Sequence, residues 1–558
     1  MYPQNLILPR ILIMASSLSL FAAFTANAQN ASTKEEWRSS LFPEDWKPGF
    51  KDDEGRFLHD FSYAGYERGE KPLPEISGPI LDVTKTPYSA DPTGKADSTQ
   101  AIQAAIDEAG RLKGGVVYLP EGIYKVLPEG ESVAALKINQ DHVVLRGAGA
   151  EKTFIFNDEN RMRNKSVILV KADDATKWSA TNEEAKFVLA SADLPNGTME
   201  IPVEDVSPFA AGDLVMVRND PTPRFIESLG MTGKWTQENL RNRGLMFWRR
   251  ITAIDSASKI LSIDVPLRYE LLKADNARVL ILPGKSMTGI GIESLSIGMK
   301  FHPGTEMGLL DFNKEGTAGY EVHQAGAIAF ESSENCWVRG VNSYSAPDNP
   351  NGVHLLSNGI RISRSRLITI EDCDFKNPQY LGEGGNGYHF IVQGNDSMLK
   401  RCKATGGRHN YSLGSMGSSG NVFLDCLAKD GFLASDFHMQ FSVSNLFDNT
   451  ICDGDFLEAK FRPYGGTPMH GVTTSQSVFW NTEGVRYIPS THTYGERTST
   501  RPQQIILSEQ FGEGYVIGTR GPAPDVRTTN FSEGIGEGAD LIPRSLYRDQ
   551  LKRRIGEP

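Results

Sequence analysis

Beyond the leader, no segment reaches the roughly 18 consecutive apolar residues that a membrane-spanning helix needs. Cysteine is scarce, five residues in 558, and no two stand as C-x-x-C. That spacing argues against a structural zinc site, and the odd count leaves at least one thiol unpaired. Positive charge is in deficit, with 58 Lys and Arg against 69 Asp and Glu and a net charge of −11, so a general nucleic-acid binder is not expected. An acidic partner is still compatible with a local basic groove. Between Ile368 and Cys452 no row carries a helix-length 3.6-residue apolar pattern.

That stretch has a repeat instead. The rows LITIEDCDF, SMLKRCKA, NVFLDCLA and NLFDNTIC share one frame, with Cys373, Cys402, Cys426 and Thr450 in one column at steps of 29, 24 and 24 residues. The frame reaches back to Val338-Val341 and Ile292-Leu295-Ile297. A near-constant period made of short alternating strands predicts an all-β, single-stranded right-handed parallel β-helix, one row per coil. Small soft side chains stack well inside such a coil, so the cysteines are read as free and buried.

In chain order, residues 1–28 read as a signal peptide: Arg10, an apolar stretch and the A-x-A pattern at Ala26-Asn27-Ala28 predict cleavage after Ala28 and a secreted or periplasmic protein. Residues 29–80, with Trp37, Phe42, Trp46, Phe57, Phe61 and Tyr63, read as an arm lying on the core. At 81–160, Asp97 and Gln100 form an expected capping box, Ile102, Ala105, Ile106 and Ala109 one helix face, and VVYLP and DHVVLRGAG strands with turns. Residues 161–285 break the frame and read as a β-rich inserted subdomain, 286–490 as the main coils, and 491–558 as a tail with Leu546, Tyr547 and Leu551 on a terminal helix.

The stretch from LDVTKTPYSADPTGKADSTQAIQAAIDEAG to DHVVLRGAG resembles the N-terminal cap and first coils of the pectate lyase superfamily, in its pectate-lyase-3-like form. The resemblance covers about residues 80–160 by motif and 286–490 by coil pattern. It implies a right-handed β-helix acting on carbohydrate, with the helix plugging the open end of the stack; some calcium-dependent lyases share the fold. A calcium ion is therefore one expected cofactor, although the acidic residues match no compact calcium loop. Polygalacturonase-like members carry a D-D pair and G-H-G on one face. Here G-H-G is absent and the Asp-Asp pairs, Asp52-Asp53 and Asp173-Asp174, lie outside the main coils.

The candidate site is a stripe on the outside of consecutive coils. Four of the ten histidines, His389, His409, His438 and His470, each begin a similar strand. Alternation with Phe390 and Val392, and with Met439, Phe441 and Val443, predicts that His389 and His438 face outward. Tyr388, Arg408, Arg462, Tyr464, Arg361, Arg364 and Arg366 flank them. A column of Arg and His fits a polyanionic chain, because guanidinium pairs bidentately with carboxylate. The expectation is β-elimination on a uronate-containing polysaccharide: Arg408 neutralises the carboxylate, His409 or His438 removes the C5 proton, and Tyr411 or Tyr388 protonates the leaving oxygen. Tyr388, His389, Arg361, Arg364, Arg462 and His470 are expected to bind substrate. A glycoside hydrolase using Asp425, Asp436 or Asp448, and a non-catalytic adhesin or tail-spike-like binder, are the alternatives. Either a monomer or a trimer suits the fold.

Overall fold

The computed structural model describes residues 35–178, 185–494, 497–500 and 503–556. The signal-peptide reading of 1–28 lies outside the described residues.

The chain is a right-handed parallel β-helix. One long sheet stacks Thr369–Glu371, Met398–Lys400, Val422–Leu424, Leu446–Asp448, Val478–Arg486 and Tyr515–Arg520 in parallel register. Ile370, Leu399, Phe423, Phe447, Phe479 and Val516 are partners in one inward column. Its phenylalanines stack face to face, at 4.5 Å between Phe423 and Phe447 and 5.7 Å between Phe447 and Phe479. A second inward column runs Phe375, Ala404, Ala428, Cys452.

Between the two columns each coil turns a corner on one residue. Asp372, Arg401, Asp425 and Asn449 all take φ between 54° and 59°. Three of the four are Asp or Asn, the types that visit this region most easily after glycine. The next residue, Cys373, Cys402, Cys426 or Thr450, is thereby swung inside, and all five cysteines are free and buried. The column read from the sequence is thus a corner column. A buried polar ladder closes the next corner: Asn421 donates to Asn445 Oδ1 at 2.9 Å, and the Asn445 backbone N–H donates to Ser477 Oγ at 3.1 Å. Side-chain pairing is what lets such a corner be dry.

The opposite sheet runs Ser166–Val170, Gly326–Glu331, Asn358–Arg366, Tyr388–Asn395, His409–Leu413, Ser435–Phe437, Leu457–Ala459 and Ile506–Ser508. Ser166–Val170 pairs with both Ala134–Ile138 and Gly326–Glu331, so the coil frame continues past the boundary at 161 expected for the insertion. A continuous apolar run such as SVILV carries no frame marker. The helix Thr99–Arg111 covers the open end with Ile102, Ala105, Ile106 and Ala109 buried. Its N-cap is Ser98, not Asp97; Asp97 accepts from the Thr99 backbone N–H at 3.0 Å, and Gln100 binds Glu129 instead of closing a capping box.

On the outer face of the first sheet, Met398, Val422, Leu446, Val478 and Tyr515 form an apolar column. Leu41, Phe42, Trp46, Leu58 and Phe61 of the arm cover it, together with Leu546 and Tyr547 of the C-terminal helix Leu546–Ile555. Each such side chain contributes about 1.5–3 kcal/mol by leaving water.

The interrupting segment forms its own antiparallel sheet of six strands, from Lys186–Leu189 to Arg278–Ile281. It docks on the coils through buried ion pairs, Arg366 with Asp264 at 2.5 Å and Arg268 with Asp396 at 2.6 Å. Its apolar core continues into Met416, Phe441, Val443 and Val472 of the coils.

Candidate active-site groove

Five consecutive strands of the second sheet, from Asn358–Arg366 to Leu457–Ala459, carry a groove of about 920 Å³. At about 4.8 Å per strand its floor extends roughly 19 Å along the axis. Arg361, Tyr388, Arg408, His409, His438, Arg462 and His470 all line it.

The register explains who points where. Tyr388 pairs with His409, Phe390 with Tyr411 and Val392 with Leu413. Phe390, Val392, Tyr411 and Leu413 face the core, yet Tyr388 and His409, two residues earlier, reach the groove. Alternation therefore fails at the first residue after the turn. Two expectations fall with it. His389 is completely buried, and its Nε2 lies 2.9 Å from the Thr405 carbonyl. Tyr411 is also buried, stacks on Phe390 and donates to the carbonyls of Cys402 and Leu427 at 2.8 and 3.0 Å. Neither side chain reaches the groove. Arg364 is not in the lining either; it pairs with Glu331 at 2.9 Å. His438 does face the groove, though for a different reason than alternation with Phe441 and Val443, which pack against the insertion. It follows the strand Ser435–Phe437, where Asp436 and His438, two residues apart, share a face.

Asp436 organises the site. It is completely buried. Its Oδ2 lies 2.7 Å from Arg462 Nη1, 2.9 Å from His438 Nδ1 and 3.2 Å from His409 Nδ1, and Ser412 Oγ donates to Oδ1 at 2.8 Å. Burial pushes its carboxyl up, but the Arg462 guanidinium and the hydrogen bond from His438 outweigh burial and hold it well below the usual range. The spacing D-x-H in SDFH is legible in the sequence; its meaning is not, because by sequence Asp436 reads as a hydrolase or a calcium-binding carboxylate.

With Nδ1–H of His438 donating to Asp436, Nε2 is left as acceptor, 3.3 Å from the Tyr388 hydroxyl. Burial pushes the Tyr388 phenol up, so it stays protonated at neutral pH. His409 gives its Nδ1–H to the Ala434 carbonyl at 2.6 Å. Burial, reinforced by His438 and the nearby arginines, outweighs Asp436 and holds His409 well below 6.5, so its imidazole is neutral. The Tyr388 ring stands edge-on to His409 and His438 at 4.6 and 5.6 Å. His470, whose pKa burial lowers to about 4, sits 4.8 Å from His438.

Of the carboxylates weighed for hydrolysis, Asp425 pairs with Arg548 on the surface, and Asp448 is buried under the C-terminal helix, accepting from Ser545 Oγ and the Tyr547 N–H. Neither lies in the groove. Glu458 does; it bonds Arg462 at 2.5 Å and Lys460 at 2.8 Å.

His409, Asp436 and His438 place one donor atom each within 4.8 Å of one another. Two nitrogens and one carboxylate do not suit calcium, which takes six to eight oxygens. The Arg462 guanidinium already neutralises the carboxylate.

The fold and groove define a parallel β-helix with a charged, histidine-lined cleft on one sheet. Residues 83–212 match the family model described as Rhamnogalacturonase A/epimerase, pectate lyase-like. Two curated relatives, both from Azotobacter vinelandii, are similar over short segments: Alginate lyase 7, 44% identical over 68 residues, and Mannuronan C5-epimerase AlgE6, 41% over 75. These segments are 12% and 13% of this chain and only 8% and 9% of the relatives. Among solved structures, a double mutant of the tailspike protein of E. coli bacteriophage HK620 aligns with TM-score 0.42 and 11% identity, covering 81% of this chain and 60% of that one. No helix among the described residues is long and apolar enough to cross a membrane.

Proposed function

We propose that the groove is the active site of a polysaccharide lyase that cleaves a uronate-containing chain by β-elimination. The observation that carries this reading is the hydrogen-bonded line Asp436–His438–Tyr388, with 2.9 and 3.3 Å between its members. The names of the relatives matched over short segments, an alginate lyase and a mannuronan C5-epimerase, support a uronate substrate and C5 chemistry.

In this reading Arg408, whose Nη1 binds only the Gly382 carbonyl and whose buried Nε has no partner, takes the substrate carboxylate. That makes the charge developing at C5 tolerable. His438 Nε2, oriented by Asp436, accepts the C5 proton. The C5–H electrons form the C4=C5 double bond as the C4–O bond breaks. Tyr388 delivers its proton to the departing oxygen and is reprotonated by His438, which closes the cycle. Base and acid are adjacent, so both act on one face of the sugar. Epimerisation at C5 needs a donor on the opposite face, and the Asp436–His438–Tyr388 line supplies none. Hydrolysis fits less well, because Asp436 is enclosed by Arg462, His438 and Ser412 as donors and Glu458 is bound to two cations.

The test is incubation with a panel of acidic polysaccharides in D2O. A lyase gives the ultraviolet absorbance of an unsaturated uronide. Deuterium at C5 of an uncleaved chain means epimerisation, and new reducing ends without absorbance mean hydrolysis; either result overturns the proposal.

A further inference from the structure

The two ends of the groove differ in how their charges are satisfied. Toward the N-terminal coils, Arg361 and Arg408 line it, and their guanidinium hydrogen bonds go to Gln324 Oε1 at 3.3 Å and the Gly382 carbonyl at 2.8 Å. No carboxylate among the described residues is in ion-pair contact with either. Burial lowers the pKa of Arg361, and the charge of Glu331 opposes that shift. Glu383 stands in the same half of the lining.

Toward the C-terminal coils the cations are spent. Arg462 is held by Asp436 and Glu458, and Lys460 by Glu458. A guanidinium with two carboxylates has little attraction left for a third anion. What this half offers instead is Tyr464, 51% exposed, in the groove lining and edge-on to His470 at 5.7 Å. Its loop is not loose. Arg462 and Gly471 bridge antiparallel, and Trp235 of the insertion donates to the Met469 carbonyl at 2.8 Å. A side chain on Gly471 would collide with Met231 and Trp235. The insertion therefore fixes an aromatic ring beside His470, which in turn lies 4.8 Å from His438. Lys234 of the insertion lies 5.0 Å over Phe461, outside the groove lining.

We propose that the groove is divided: uronate carboxylates bind the half with Arg361 and Arg408, and an uncharged pyranose stacks on Tyr464 in the other half. The preferred substrate is then a mixed polysaccharide in which uronate adjoins a neutral sugar or N-acetylhexosamine, not a polyuronate. This rests on the lyase reading of the same site.

The test is binding by the Tyr388→Phe protein, whose turnover is slowed about 10²-fold or more, measured at times short against that residual turnover. The probes are polymannuronate, polygalacturonate, an alternating glucuronate–N-acetylglucosamine polymer and a uronate-bearing polymer with neutral sugar spacers. Tighter binding of a mixed polymer, weakened about tenfold by Tyr464→Ala and reduced by Arg361→Gln, is expected. A polyuronate that binds as tightly as any mixed polymer, or a Tyr464→Ala change without effect on mixed polymers, overturns the division and leaves the lyase reading standing. Absence of binding to every polymer overturns both.

Discussion

Asp436→Asn separates charge from shape at the centre of the site. The side chain keeps its volume, so the Ser412 contact at 2.8 Å and the surrounding packing survive. The anion facing Arg462 at 2.7 Å and His438 at 2.9 Å is lost. Breaking one partner of a buried ion pair costs about 3–5 kcal/mol. The lower end applies, because Glu458 remains 2.5 Å from Arg462. The catalytic loss is separate. An amide NH2 facing His438 Nδ1 favours the tautomer with the proton on Nε2, where it can no longer accept from Tyr388 or from C5. General acid–base catalysis is worth about 10²–10⁴-fold, or roughly 3–5 kcal/mol of barrier. The assay is the initial rate of unsaturated-product formation by protein whose folded fraction has been measured by urea unfolding. Asp425→Asn, which disturbs the pair with Arg548 and the hydrogen bond from Asn449, both outside the groove, serves as control and keeps wild-type kcat. A kcat for folded Asp436→Asn within a few-fold of wild type would refute the relay.

Tyr388→Phe keeps the ring against His409 and removes the hydroxyl 3.3 Å from His438, so kcat falls about 10²-fold or more with little change in KM; a change in KM alone counts against the acid role. Activity survives EDTA, because Arg462 rather than a metal balances Asp436, and loss of activity on chelation that calcium restores would contradict this. Stability falls as pH drops from about 6.5 toward 4. Burial lowers His59, His389 and His470 to about 4 and His409 well below 6.5, so the unfolded chain takes up protons the folded one refuses. Asp448 and Asp455, raised by burial to about 7, act in the opposite direction but are fewer. A urea midpoint no lower at pH 5 than at pH 7 would contradict that balance. Leu546→Ala empties a fully buried position under the arm and costs about 2–5 kcal/mol in urea unfolding, with kcat unchanged because the groove lies on the other sheet.

The repeat spacing alone determined the coil stack, because in-register parallel pairing needs identical residue classes at each level. Leu399, Phe423, Phe447 and Phe479 occupy one column for that reason. The same logic placed the cysteines inside and found the groove's coils, since His409, His438, His470, Tyr388, Arg408 and Arg462 do converge there. It failed at the corners. Whether Tyr388 or Tyr411, His389 or His409, faces the groove depends on where alternation restarts after a turn, and a period-2 pattern has no memory across that turn. Asp436 stood two residues from His438 in plain view, yet its role depends on Arg462 and His409 arriving from neighbouring coils. The insertion's grip on the Tyr464 loop through Trp235 joins residues more than 200 positions apart. Local periodicity fixes what stacks on what; only tertiary structure decides which side chains meet across coils, because those contacts depend on the geometry of turns that the repeat does not encode.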